Sequence, residues 1–400
     1  MIKKVTLLGA SRIIQFMTPM FVLPYIICVV GLESYGKYIY WLGLSTYLSN
    51  VVGLNIETYA IRRVAEDDNQ VDAILNPILL KLVLASILIL CWSLVSMYNA
   101  ADAKEFILIL FCLYPLLSVV LLPTHYFVGV GDFKLQLICS IIEKLTLLIL
   151  VFLLVRTKDD YYLIPLTYSF SLIFSIAFCY INMSRNINMS NYKLNVSEIK
   201  KYFNVSKYLI LGKLSQVHTT LAVFIIGNIF GFSSVGIFDV VNKVLNLSKV
   251  PLSVISQAVY SSMKSCLRRY IALFGLMTFF GIVFYLLVNY FSLEILSYLY
   301  SEPASTVSLE LLSILSLVLI STPALMVFGT NYVARYGAPN TYGKLVLLTN
   351  VATISIFSGW YYSGNMQFLD FAWIVFFAET FLSSLCVITF IYMNFGYKRR

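Results

Sequence analysis

The sequence is dominated by apolar runs that follow one another with only short polar breaks. A run of about 20 residues crosses the roughly 30 Å hydrocarbon core of a bilayer as a helix, which satisfies all of its own backbone hydrogen bonds there. Because 60% of the 400 residues are hydrophobic and 12% are charged, no sizeable soluble domain fits between the runs. The sequence therefore predicts an all-α polytopic membrane protein.

We predict twelve membrane spans, and an even number places both termini on the same side of the membrane. The segment around 291–306 is ambiguous, because a helix lying on the membrane surface is an alternative there. The predicted spans are 5–30, 38–60, 74–98, 105–128, 135–155, 162–184, 207–230, 235–260, 270–291, 305–330, 341–362 and 369–393.

The distribution of Lys and Arg predicts the orientation. With the N-terminus inside, the cytoplasmic segments hold 18 basic residues and the outer segments hold 4. Cytoplasmic loops of membrane proteins carry such an excess, so both termini are expected in the cytoplasm. The same rule accounts for the net charge of +9 without nucleic acid as a partner. The apolar run that follows Lys3 and Lys4 is longer than the core of a cleavable signal, which predicts a retained first span.

The two halves of the chain repeat each other. The stretch Gly31-Leu-Glu-Ser-Tyr35-Gly36-Lys-Tyr38 returns about 200 residues later as Gly231-Phe-Ser-Ser-Val235-Gly236-Ile-Phe238, and Thr124–Gly131 resembles Thr330–Gly337. With six spans per half, both copies start and end inside, so the repeats are parallel. We therefore predict two pseudo-symmetric six-helix bundles. The predicted domains are an N-terminal bundle over 1–184, a cytoplasmic linker over 185–206 and a C-terminal bundle over 207–400.

The linker carries an amphipathic pattern. Val196, Ile199 and Phe203 share one helical face, with Lys200 and Lys201 beside it. This pattern is typical of a basic helix that lies on membrane lipid at the inner leaflet, and a plain solvated linker is the alternative.

Six basic residues fall inside the predicted spans. A charge at mid-bilayer costs at least about 2.5–3.5 kcal/mol, so such a residue normally faces a cavity or a partner. Snorkelling to the headgroups is an alternative for those near a span end, namely Arg12, Lys81 and Lys213. The six are Arg12, Lys81, Lys144, Lys213, Lys243 and Lys249.

Span eight carries a polar stripe at helical spacing, formed by Asp239, Asn242, Asn246, Lys249, Ser253 and Ser256. Such a stripe faces water, a substrate or a polar partner helix. Lys243 lies one turn from Asp239, where an ion pair can form. Span two carries a milder polar stripe. Arg12 and Gln15 of span one have the same spacing as Lys213 and Gln216 of span seven.

These four spans are expected to line a polar, cationic cleft between the halves that suits an anionic, hydroxyl-rich ligand such as a phosphorylated sugar. The candidate substrate-binding residues are Arg12, Gln15, Lys213, Gln216, Asn242, Lys243, Asn246 and Lys249.

The acidic residues at membrane depth are Glu57, Glu143, Asp239 and Glu379. Each is a candidate for binding a coupling proton or sodium ion, and the alternative is a counter-ion role for the lysines. Glu143 precedes Lys144, but adjacent helical residues point about 100° apart and need not pair.

No metal site or catalytic centre is expected. The two histidines, His125 and His218, have no partners at metal-ligand spacing. Nucleotide-binding and hydrolase motifs are absent from the sequence, so we expect no enzyme activity and no cofactor besides a coupling ion.

The chain resembles the polysaccharide-export flippases of the O-antigen transporter (Wzx) type, in the superfamily that includes the multidrug and toxin extrusion exporters. The resemblance rests on span one with Arg12 and Pro24, on the Gly31–Tyr38 motif and its second copy, and on the turn from Tyr332 to Pro339. It implies two six-helix bundles around a central cavity.

The same resemblance implies that the chain moves oligosaccharide repeat units, linked to undecaprenyl pyrophosphate, from the inner to the outer leaflet of a bacterial inner membrane. Glycan polymerase and chain-length proteins are further candidate partners. A multidrug or cation exporter of the same superfamily is the alternative function. A membrane glycan polymerase is disfavoured because the predicted outer loops are short and nearly bare of charge.

Overall fold

The structure is a computed structural model. It describes residues 2–53, 56–66, 70–186, 192, 196–204, 222–260, 267–300, 303–337, 341–364 and 366–396. The side chains at a few positions within these ranges, Arg12 among them, are not described. Within the described ranges the secondary structure is helical and contains no strand. The chain divides into two compact units, Met1–Leu214 and Ser215–Arg400. The division falls in a segment outside the described residues, so the predicted domain boundaries stay predictions.

The N-terminal unit is built from packed helices, with α1 against α8, α8 against α9, α2 against α6 and α3 against α7. Its helices are α1 (Ile2–Val30), α2 (Leu32–Gly53), α3 (Ile56–Glu66), α4 (Gln70–Asn99), α5 (Ala103–Phe111), α6 (Tyr114–Leu121), α7 (Thr124–Val130), α8 (Phe133–Leu154), a 3-10 turn (Lys158–Tyr162), α9 (Leu163–Asn186) and α10 (196–204).

The C-terminal unit has the same style of packing, and its core lies between the ninth, tenth and twelfth predicted spans. Its helices are α11 (Ala222–Phe230), α12 (Phe232–Tyr260), α13 (Leu267–Tyr290), α14 (Ser292–Tyr300), α15 (Thr306–Ser316), α16 (Val318–Ala324), a π-helix (Leu325–Val333), α17 (Ala334–Tyr336), α18 (Thr341–Tyr362), α19 (Phe368–Ile391) and a second π-helix (Tyr392–Gly396).

Among the described residues, nine helical segments are long and apolar enough to cross a membrane, and each coincides with one of the twelve predicted spans. The remaining three predicted spans are the second, seventh and eighth. Most of the seventh lies outside the described residues. The second and eighth correspond to α2 and α12, which have 22 and 29 residues but carry many polar side chains. The ambiguous segment around 291–306 contains the separate short helix α14.

One predicted span is interrupted. In span two, which was expected to run over 38–60, residues 54 and 55 lie outside the described part of the chain, between α2, which extends to Gly53, and α3, which carries Glu57. Span four is divided into α5, α6 and α7, and the second break falls at Pro123. A proline has no N–H group to donate to the preceding turn, so a helix breaks or bends there.

The internal repeat is visible in the backbone. Gly31 and Gly231 end the first helix of each repeat with φ of 82° and 83°, a left-handed conformation that favours glycine. The second and fourth spans pack against each other in both units, as do the fifth and sixth. The second sequence match is less faithful, because Gly131 has a φ of 77° whereas Gly337 has a φ of −74°.

The aromatic residues after the first repeat glycine pack inside the N-terminal unit. Tyr35 and Tyr38 are buried inside the N-terminal unit. The Tyr38 hydroxyl lies 3.2 Å from the Tyr114 hydroxyl, and both rings stack with Tyr168. The corresponding residues of the second copy, Val235 and Phe238, are buried as well, so the motif anchors helices in each core.

The linker helix α10 packs on the N-terminal unit with a different face from the one predicted. Ile199 packs against the cluster that contains Ile56 and Leu80, and Tyr202 is buried with its ring 5.0 Å from that of Tyr59. Burial raises the pKa of Tyr202 to about 12, so the phenol stays neutral at physiological pH. Ile199 is therefore partly covered by the N-terminal unit, whereas Val196 and Phe203 are 57% and 42% exposed.

Candidate functional site

The predicted site residues near the N-terminus are only partly described. Gln15 is exposed on α1, and its amide Nε2 donates to the Ser140 hydroxyl of α8 over 3.3 Å. Ser140 also lies 3.0 Å from the hydroxyl of Ser11. The side chain of Arg12 and all of Lys213 and Gln216 lie outside the described residues, as does His218. Their roles stay predictions.

Glu57 forms the most extensive polar contact of the N-terminal unit. Its Oε1 accepts from the Lys81 ammonium over 3.3 Å and from the Thr124 hydroxyl over 2.9 Å. The Lys81 ammonium also donates to the Val119 carbonyl over 3.0 Å. Lys81 is only 1% exposed, so the snorkelling alternative is wrong for this residue. The contact links helices α3, α4, α6 and α7.

Glu143 and Lys144 contact each other, although the geometry of adjacent positions on a helix does not require it. The Lys144 ammonium lies 2.5 Å from Glu143 Oε1, and both side chains are more than four-fifths buried. The lysine stem is long enough to bend back over the intervening angle, and burial favours the contact because an unpaired charge in an apolar surrounding is costly.

The C-terminal unit holds two further acid–lysine pairs. Asp239 and Lys243, one turn apart on α12, lie 2.5 Å from each other, as their spacing predicts. Lys249 reaches across to Glu379 on α19, with 3.7 Å between the charged atoms. Asn246 lies between these pairs and is exposed.

The polar stripe of span eight has two kinds of residue: those that contact neighbouring helices and those that are half-buried or exposed. Lys249 and Ser256 meet neighbouring helices of their own unit, as the polar-contact alternative expects, and Asn331 Nδ2 donates to the Ser256 hydroxyl over 3.0 Å. In the middle of the stripe Asn242 is half-buried and Asn246 is exposed.

All four acidic residues that we named as candidates for ion coupling are thus in contact with a lysine. The lysines are Lys81, Lys144, Lys243 and Lys249, the four basic span residues whose side chains the structure describes. An ion or anionic ligand that binds at one of these pairs has to compete with the existing partner.

Comparison with known proteins places the chain in a family. The family described as "Polysaccharide biosynthesis protein" matches residues 1–263. The chain belongs to this family. It is also 22% identical over 258 residues to a protein of Escherichia coli (strain K12) named "Putative O-antigen transporter", and the match covers 63% of this chain. The chain spans 62% of that relative's length.

The fold of this family member is that of a known transporter superfamily. A multidrug resistance MATE family transporter of the MOP superfamily, solved in an inward-facing conformation, has a TM-score of 0.72 at 12% identity, with 98% of each chain covered. The MATE multidrug transporter DinF-BH has a TM-score of 0.70 at 16% identity and coverages of 98% and 95%. A MOP superfamily transporter from Pyrococcus furiosus has a TM-score of 0.67 at 12% identity, and the match covers 100% of this chain and 97% of that transporter's chain. At identities of 12–16%, the similarity to these structures shows a shared fold and nothing about function.

Membership of this family agrees with the multi-pass architecture and with the two six-helix halves. It does not by itself assign roles to the paired residues. Among the described residues no group of His, Cys, Asp and Glu is placed to hold a metal ion, and the six cysteines within them are free thiols.

Several residues at the acid–lysine pairs were not predicted from the sequence. Thr124 and the Val119 carbonyl complete the surroundings of the Lys81 and Glu57 pair. The available signal was Pro123, because a proline leaves free the carbonyl four residues before it in a helix. The neighbouring His125 donates from Nε2 to the Ile74 carbonyl over 3.1 Å, while its Nδ1 is buried without a hydrogen bond.

Proposed function

We propose that the chain is a flippase for lipid-linked oligosaccharides. It would move repeat units carried on undecaprenyl pyrophosphate from the inner to the outer leaflet of a bacterial inner membrane, by alternating access and with both termini in the cytoplasm. The observation that carries this proposal is the family match over residues 1–263, and the name of the Escherichia coli relative points the same way. The excess of basic residues on one predicted side supports the orientation.

The lysines at membrane depth supply the chemistry for an anionic headgroup. In this proposal Arg12, Lys213, Lys243 and Lys249 attract the pyrophosphate or acidic sugars, and the amides of Gln15, Gln216, Asn242 and Asn246 bind sugar hydroxyls. Lys243 and Lys249 are each about one-fifth to one-third exposed, so they are paired yet reachable. Lysine binds phosphate as a compact point charge, and it can change partners without the fixed geometry that arginine requires.

Partner exchange also offers a route to ion coupling. When a phosphate takes Lys249, the Glu379 carboxylate loses its counter-ion, and uptake of a proton or sodium ion then compensates its charge. The same reasoning applies to Asp239 with Lys243 and to Glu143 with Lys144. Under this proposal the cargo and the coupling ion bind cooperatively. The cargo pairs with the lysine and leaves the carboxylate unpaired, and the ion then compensates the charge of that carboxylate.

The test is deletion of the gene in its native host, followed by complementation with variants. Deletion is expected to abolish the surface glycan and to accumulate lipid-linked repeat units. Lys249→Gln and Lys243→Gln should complement poorly at normal protein levels. Lys104→Gln is the matched control, because Lys104 lies in an exposed pair with Asp159. Normal glycan export in a deletion strain without a second flippase would refute the proposal.

The same strains address the alternative of drug export. A loss of resistance to cationic drugs, with the surface glycan intact, would favour a drug exporter. The fold likeness to multidrug transporters does not favour it, because these structures are only 12–16% identical to the chain.

A further inference from the structure

The Lys81 ammonium is surrounded by oxygen atoms inside the N-terminal unit. It contacts the Glu57 carboxylate over 3.3 Å and the Val119 carbonyl over 3.0 Å. The Thr124 hydroxyl donates to the same carboxylate oxygen that Lys81 contacts. The side chain is 1% exposed, whereas the Glu57 side chain is 43% exposed. A permanently placed cation therefore lies behind a carboxylate that is reachable from outside.

The Val119 carbonyl is available to Lys81 because of Pro123. In a continuous helix this carbonyl would accept from the N–H of the residue four positions later, and proline has none. The C-terminal unit also has a proline four residues after a carbonyl, because Pro323 follows Leu319 inside α16 of the tenth span.

The two halves treat this carbonyl differently. In the C-terminal unit Gly281, on the ninth span, lies so close to the Leu319 carbonyl that a Cβ would approach the oxygen to 2.5 Å. In the N-terminal unit the third span contributes Lys81 instead. In the second half the residue next to this carbonyl is Gly281, which has no side chain. A lysine is therefore not required where a proline leaves such a carbonyl without its helical donor.

The oxygen atoms around the ammonium are of the kind that binds an alkali-metal ion. A carboxylate, a backbone carbonyl and a hydroxyl are hard oxygen ligands, which small hard cations prefer. The Lys81 ammonium carries the same single charge and donates hydrogen bonds to the carboxylate and to the carbonyl. While it is in place, a second cation is excluded by charge repulsion and by volume.

We propose that Lys81 is a tethered cation that occupies an alkali-ion site of the N-terminal unit. In the native chain Glu57 consequently holds no sodium ion, and any coupling ion binds at other carboxylates. Removal of the ammonium opens a sodium site formed by Glu57, the Val119 carbonyl and Thr124. This inference goes beyond the proposed transport function and does not rest on it.

The test measures binding of radioactive sodium to the purified full-length protein in detergent. Lys81→Ala is expected to bind more sodium than the wild type, and the double variant E57Q/K81A should lack the increment. Lys81→Arg is the matched control, because it keeps a tethered charge and should bind no extra sodium. Glu57→Gln alone should leave the sodium binding of the wild type unchanged.

Two results would overturn the proposal directly: equal sodium binding by Lys81→Ala and the wild type, or loss of sodium binding on Glu57→Gln alone. If Lys81→Ala does not accumulate, Lys81→Ser is purified in sodium throughout, since its hydroxyl adds a ligand. If neither Lys81→Ala nor Lys81→Ser can be purified in sodium while E57Q/K81A can, no sodium ion replaces the ammonium and the proposal is wrong. The readout is independent of glycan export, so either proposal can fail without the other.

Discussion

Gly281 lies on α13 at a close crossing with α16, and its replacement by alanine gives a sharp test of the packing. An added Cβ would approach the Leu319 carbonyl oxygen to 2.5 Å and Pro323 Cγ to 3.3 Å. Both of these atoms belong to a rigid turn around a proline, so neither can move aside as the end of a flexible side chain would. The helices themselves have to separate.

The same helix provides the control. Gly275 also lies within α13, and a Cβ at this position would meet no atom within 4 Å. Both substitutions gain about 1 kcal/mol from the better helix propensity of alanine. Only Gly281→Ala incurs overpacking, which costs about 1–3 kcal/mol in a close-packed interior. The difference between the two variants therefore isolates the clash, and we expect Gly281→Ala to be less stable by about 1–3 kcal/mol.

Thermal unfolding of the two purified variants, followed by the labelling of buried cysteines, measures this difference. For a chain of 400 residues it corresponds to a Tm roughly 1–4 °C lower for Gly281→Ala than for Gly275→Ala. The wild type should lie at or slightly below Gly275→Ala. Equal Tm values for the two variants, or a higher value for Gly281→Ala, would refute the close crossing of α13 and α16.

Three further predictions concern other parts of the chain. Tyr202→Ala should detach α10 from the N-terminal unit and lower Tm, because deleting a buried aromatic ring costs about 3–5 kcal/mol, whereas Val196→Ala on the exposed face of α10 should leave Tm within error of the wild type. Gly31→Ala should cost about 1–2 kcal/mol in the same unfolding assay because of its φ of 82°, and an unchanged Tm would contradict the left-handed turn. Lys249→Gln and Glu379→Gln should each lower Tm, because each single change leaves the other charge without its partner. The loss in the double variant should be smaller than the sum of the two single losses, and strictly additive losses would argue against their contact.

Patterns along the chain were sufficient to predict the spans, because membrane insertion depends on local composition and length. All nine apolar segments that the structure describes had been predicted. The polar spacing on α12 likewise predicted the contact between Asp239 and Lys243, since partners one turn apart are set by helix geometry alone. The repeated glycines predicted equivalent turns, and Gly31 and Gly231 have nearly the same φ.

Local patterns were insufficient where a residue chooses between partners on different helices. Lys81 was compatible with snorkelling until its ammonium was placed against Glu57 and the Val119 carbonyl. Ile199 was compatible with lipid contact until α10 was placed on the N-terminal unit. Both choices depend on which helices are neighbours.

The sequence by itself determined that this is a multi-pass helical membrane protein with a parallel internal repeat, because hydrophobic length, charge bias and repeated glycines act through local physics. Only the tertiary structure decided how the membrane charges are used. Each acidic candidate whose surroundings are described turned out to contact a lysine, Lys249 of α12 with Glu379 of α19 over 3.7 Å being the longest of these contacts. The reason is physical: a charge at membrane depth takes the nearest opposite charge, and nearness across helices is a property of packing.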